Sequence, residues 1–122
     1  MIQPVTSARF PYLPVHLSLG PRDNPTFEID VEVQVDTGFD GGVAVPKSLI
    51  PDSVTPDGHT DWQLADGTEL QAPAYLCNLS NGHFPPVLTA AIALDGDALL
   101  GRHVTDTFRV IFDHGASIVV EP

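Results

Sequence analysis

One acidic triplet carries most of the chemical interest in these 122 residues: Asp36-Thr37-Gly38, within "VQVDTGFDGGVAVP" at 33–46. The run before it alternates apolar with acidic or polar residues, and Asp36 keeps the polar parity at its end. A carboxylate at such a corner has two uses. It accepts backbone hydrogen bonds of a turn, with Gly38 tolerating positive φ, or it takes part in a reaction.

Other reactive side chains form no comparable constellation. His16, His59, His83, His103 and His114 are scattered, without an HExxH helix or paired Cys-His spacing, so no zinc site is expected. Asp95-Gly96-Asp97 offers too few oxygen ligands at regular spacing for a calcium or magnesium loop and reads as a turn. Ser48, Ser53 and Ser80 lack a GxSxG setting, Cys77 lies in an apolar strand, and no glycine-rich loop precedes a helix. No cofactor or metal is expected.

The elements that must position Asp36 are strands. Residues 13–19 alternate, with Leu13, Val15, Leu17 and Leu19 on one face. "GPRDNP" at 20–25 predicts a turn, after which Phe27, Ile29, Val31, Val33 and Val35 resume the apolar parity opposite Glu28, Asp30, Glu32 and Gln34. A short strand at 43–46 follows, then a brief helical turn in "KSLIPDS" and a second hairpin whose tip is Ala65-Asp66-Gly67. A further strand spans 87–94, an apolar stop covers Ala98 to Gly101, and a short helix is expected over 102–108. Strands at 109–112 and 117–120 close the chain around His114-Gly115.

Length and composition agree with a single all-β domain over 1–122: 43% hydrophobic and 17% charged residues, with 12 Pro and 10 Gly to make turns. The net charge of −11 argues against nucleic acid and anionic membrane as partners. No run reaches the ~18 apolar residues of a membrane span, and a lone cysteine forms no intrachain disulfide, so a cytoplasmic protein is expected.

Two blocks, "VDTGFDGGVAVP" at 35–46 and "ALLGRHVTDTFRVIFDHG" at 98–115, combine in spacing and order with the hairpin tip between them. Together they resemble the retropepsin-like (clan AA) aspartic proteases, and "DTGF" followed by an apolar strand and "VP" is most similar to the small bacterial stand-alone members. The resemblance implies a closed β-barrel lobe with a flap hairpin and one short helix, acting as a homodimer on peptide or protein substrates. Asp36 is then the catalytic carboxylate, Thr37 locks the loop of the partner subunit, and Gly38 offers its backbone to substrate. Leu99, Leu100 and Gly101 brace the loop from behind, while Ala65, Asp66 and Gly67 form the flap tip over bound peptide. Asp40 and Arg102 stand at positions that pair in the family, where a guanidinium fork grips a carboxylate. Phe39 departs from the alanine of many retroviral members and bears on the substrate subsite. Gly41-Gly42 is a second departure, expected to loosen the loop.

One Asp-Thr-Gly per chain implies that a second Asp36 comes from another subunit, because the family's chemistry needs two carboxylates sharing a proton. A two-fold axis through the site supplies it. The N-terminal segment and "SIVVEP" are expected to lend strands to that interface, since they otherwise remain open edges. Two alternatives stay open: a non-catalytic dimeric module that binds or organises peptides, and a plain β-barrel for a small apolar ligand.

Overall fold

The computed structural model describes residues 5–7, 9–21 and 23–121; Met1 to Pro4 and Ala8 of the N-terminal segment, Arg22 of the first turn and Pro122 lie outside them. Ten strands run in the order β1 (Val5–Thr6), β2 (Tyr12–Leu19), β3 (Phe27–Val35), β4 (Val43–Pro46), β5 (Gly58–Gln63), β6 (Glu69–Ser80), β7 (Val87–Leu94), β8 (Leu99–Leu100), β9 (Arg109–Asp113) and β10 (Ser117–Glu121) among the described residues. A 3-10 turn at Lys47–Leu49 and a single helical turn, α1 (Arg102–Thr105), are the helical pieces among them. The chain is all-β.

Period-two patterning builds the first hairpin. Leu13, Val15, Leu17 and Leu19 of β2 are buried, and β2 pairs antiparallel with β3 from Tyr12↔Gln34 to Leu19↔Phe27. On β3 only Val33 and Val35 are fully buried, while Phe27, Ile29 and Val31 are half-buried. The second neighbour of β3 explains the difference. Parallel β8 reaches only Gln34 and Val35, so the first part of β3 has a strand on one side alone.

The strand order β2-β3-β8-β4-β7-β6-β5 closes on itself, because β2 also pairs with β6 through His16↔Ser80 to Leu19↔Cys77. Six strands thus form a closed barrel, and β5 extends it as the outer arm of the β5–β6 hairpin. Closure removes most free edges and buries one continuous apolar interior that includes Leu17, Val33, Val43, Cys77, Leu79 and Ala91. Burial pushes the Cys77 thiol up to about 12.

A separate three-stranded sheet has the order β1-β10-β9. Within one chain "SIVVEP" is not an edge: β10 lies in the middle, paired with β1 through Val5↔Val120 and with β9 from Asp113↔Ser117 to Arg109↔Glu121. The outer strands are β1 and β9. The helix is also shorter than expected over 102–108. Bonds from Thr107 N–H to Val104 O and from Phe108 N–H to Thr105 O tighten its end, and the Thr107 hydroxyl donates to the same Val104 carbonyl at 2.6 Å.

On the wet face of the first hairpin, His16 Nδ1 lies 2.8 Å from Asp30 and Nε2 3.1 Å from Glu28. Glu28 first, then Asp30, raises the imidazole above its ordinary 6.5. A raised folded-state value means that the charged form is favoured in the fold. Its contribution to stability is full below 6.5 and fades as pH rises through the folded value. His16→Gln should therefore lower the urea midpoint in acid and leave it nearly unchanged in alkali. Equal losses on both sides of that window would remove this account.

Candidate active site

The Asp36 corner is positioned by main chain. Gln34 N–H donates to Ala98 O at 2.9 Å, Val35 N–H to Pro11 O at 2.9 Å, and Asp36 N–H to Leu100 O at 3.0 Å. Three further bonds fix the loop beyond: Gly101 N–H to Gly42 O at 2.7 Å, Arg102 N–H to Phe39 O at 2.8 Å, and His103 N–H to Gly41 O at 3.1 Å. The segment 98–103 thus braces 34–42 almost residue by residue. Buried peptide groups must be paired, so the two segments hold each other in register.

Asp36 itself is half-buried, and its Oδ1 accepts the Gly38 N–H at 2.9 Å. The turn chemistry is real, and it fixes the orientation of a carboxylate that remains partly accessible. Thr37 and Gly38 are exposed beside it. Thr37 lines a cavity of about 360 Å³ with Val35, Arg102, Val110 and Phe112, which joins the loop to β9.

Phe39 is half-buried with its ring 5.2 Å from that of Trp62 on β5, so the loop touches the β5–β6 hairpin near its turn end. Gly41 lies under both rings: a Cβ there would come within 2.8 Å of each. At Gly42 a Cβ would sit 2.1 Å from Thr89 Oγ1, and at Gly101 it would sit 2.1 Å from Gly41 O. The glycine pair, expected to loosen the loop, is instead what lets it pack tightly.

The pairing of Asp40 with Arg102 is not formed. Both side chains are exposed, and among the described residues no carboxylate lies within 4.0 Å of the Arg102 guanidinium. Main-chain bonds between the two segments replace it. Leu100 and Gly101 are buried and Leu99 is half-buried behind the corner.

Ala65, Asp66 and Gly67 form the exposed end of the β5–β6 hairpin. Leu64 N–H donates to Thr68 O at 2.8 Å, Gly67 has φ +87°, and Asp66 Oδ1 accepts the Thr68 N–H at 2.8 Å. The Thr68 hydroxyl and N–H hold the Asp66 carboxyl below its ordinary value. The structure assigns Asp66 a turn role.

One residue was not legible as part of the site. His103 Nδ1 lies 2.7 Å from the buried Thr89 hydroxyl, which ties α1 to β7 behind Gly42. That contact leaves no local sequence signal, because it spans many residues. Trp62, which by its type and place in the hairpin reads equally as a groove wall or a half-buried aromatic, is half-buried with an indole N–H that has no acceptor among the described residues.

Gly101→Ala should lower unfolding stability by about 1–3 kcal/mol, since the added methyl meets backbone rather than a movable side chain. Urea unfolding measures this, and an unchanged midpoint would refute the close approach.

No family model matches the chain, and no curated protein matches it. A crystal structure of a retropepsin-like aspartic protease from Rickettsia conorii does, with a TM-score of 0.62 at 18% identity, covering 98% of this chain and 91% of that one. The chain has a retropepsin-like fold.

Proposed function

We propose that the protein is an aspartic endopeptidase in which a water molecule is activated between the Asp36 carboxylates of two subunits. The observation that carries this is a half-buried, partly accessible carboxylate on a corner clamped by main-chain bonds, present once per chain. The retropepsin-like fold and the DTGF motif of the small bacterial clan AA type support the same assignment.

Two carboxylates about 3 Å apart resist double ionisation and share one proton. The ionised one takes a proton from water as its oxygen attacks the amide carbon, and the protonated one donates to the carbonyl oxygen. The tetrahedral diol then collapses as the nitrogen is protonated and the C–N bond breaks, leaving a carboxylic acid and an amine. The two apparent pKa values belong to the dyad, so cleavage should follow a bell-shaped pH profile.

Thr37 faces the partner's loop in this arrangement, and the Gly38 main chain meets the peptide. The substrate lies extended beneath Ala65, Asp66 and Gly67, adding strand-like hydrogen bonds. Phe39 and Trp62 shape the wall between flap and loop, and Asp40 stands at the outer end of the groove. A cytoplasmic location belongs to the same proposal, supported by a single cysteine that is a buried free thiol.

Digestion of a complex peptide mixture across about pH 4 to 7, read by mass spectrometry, tests the function. Wild type should cleave, and Asp36→Asn should not, while folding and sedimenting like wild type. Cleavage by Asp36→Asn at the wild-type rate would exclude the mechanism. Dimers of both that cut nothing would favour a non-catalytic peptide-binding module.

A further inference from the structure

Strand β3 is paired along only part of one edge. Gln34 and Asp36 direct their N–H groups to Ala98 and Leu100, and Val35 directs its own to Pro11 on the other side. Main-chain groups alternate between the two edges of a strand, so Glu28, Asp30 and Glu32 turn theirs toward the side where β8 lies. Pro14, which has no N–H, stands opposite Glu32 and agrees with that alternation. Strand β8 pairs no further back than Gln34, and among the described residues no strand continues it along β3. The N–H and C=O groups of Glu28, Asp30 and Glu32 therefore lie on an open edge.

Beside that edge is a cavity of about 820 Å³, lined by Ile29, Asp30, Val31 and Glu32 of β3, by Leu49 of the 3-10 turn and by His83 of the loop after β6. The two faces of the strand differ. Ile29 and Val31 are half-buried and carry the apolar parity, whereas Glu28, Asp30 and Glu32 are exposed on the wet face. His16 sits 2.8 Å from Asp30 and 3.1 Å from Glu28, and Arg9 sits 4.0 Å from Glu32, yet these three acidic side chains stay 88%, 53% and 50% exposed. Charge on an open edge guards it against pairing with its own kind. Charge of a single sign still admits the opposite sign.

We propose that this edge takes an extended, basic segment of another protein as an added strand. Lysine or arginine side chains of that segment alternate on the wet face, opposite Glu28, Asp30 and Glu32, and the apolar side chains between them enter the cavity beside Ile29, Val31 and Leu49. Main-chain bonds along the edge supply affinity, and the alternation of basic with apolar residues selects the partner. A second copy of this chain does not fit. Pairing β3 with its own mate sets acid against acid, which is destabilising. The five Lys and Arg residues, at positions 9, 22, 47, 102 and 109, form no alternating basic strand. The net charge of −11 also draws a basic segment in from a distance. The site uses neither Asp36 nor the flap, so it stands or falls apart from the peptidase reading.

The peptide Lys-Val-Lys-Val-Lys-Val-Lys is a direct probe, offered to the full chain carrying Asp36→Asn so that the peptide stays intact. Binding should protect the Glu28, Asp30 and Glu32 amides from hydrogen exchange, read by NMR, and leave Ile29 and Val31 unchanged, since those are already bonded to β2. The peptide Glu-Val-Glu-Val-Glu-Val-Glu should not bind. Asp30→Lys should weaken binding of the basic peptide about tenfold. Asp61→Lys, the same charge change at an exposed position of β5, should weaken it clearly less.

Absence of binding by the basic peptide, equal binding of the two peptides, binding that leaves those three amides unprotected, or equal losses in the two lysine variants would each overturn the proposal. Protection of the β5–β6 hairpin in place of β3 would put the peptide over Asp36 and overturn it too. None of these results bears on whether wild type cleaves peptides through Asp36.

Discussion

The Asp36 carboxylate owes its place to a ladder of main-chain hydrogen bonds between two segments far apart in sequence. Residues 34–42 and 98–103 satisfy each other's peptide groups through bonds at Asp36, Gly42, Phe39 and Gly41. A ladder of this kind tolerates little shift, because moving one rung leaves several buried donors without acceptors. The glycines at 41, 42 and 101 follow from it: side chains there would hold the two backbones apart. A surface ion pair would add little to such a clamp, which accords with Asp40 and Arg102 lying exposed and apart.

Around that clamp the protein divides its work between two sheets. The closed barrel carries the apolar core and presents the corner at the ends of β3 and β8. The β5–β6 hairpin extends from the barrel, and the Phe39–Trp62 contact ties it to the loop after Asp36. The small β1-β10-β9 sheet is separate from it, with β10 enclosed and β9, charged at both ends, on one outer side.

Local patterning was the most legible part of the sequence. Alternation located β2 and β3, the apolar run at 87–94 located β7, and Asp66-Gly67 located the β5–β6 hairpin, because strand period and turn chemistry are written within a few residues. The triplet at 36–38 was also visible, as a polar residue ending an apolar strand. What escaped was set by distance. The half-burial of Phe27, Ile29 and Val31 depends on how short β8 is. The enclosure of β10 depends on β1, more than a hundred residues away. The tie from Thr89 to His103 joins two elements that share no motif. Asp40 and Arg102 show the converse: two residues with the right chemistry whose side chains the backbone does not bring together.

The clamp also bears on when the Asp36 corner takes shape during synthesis. Asp36 receives its brace from Leu100, more than sixty residues later in synthesis, through a parallel pairing that no local turn brings together. Long-range pairings of this kind form late, after the entropy of closing the intervening loop has been overcome. A growing chain would hold its acidic triplet on an unbraced strand until nearly all of the barrel had left the ribosome. The Asp36 corner would thus take its braced geometry only once the chain through Leu100 is free to pair with it.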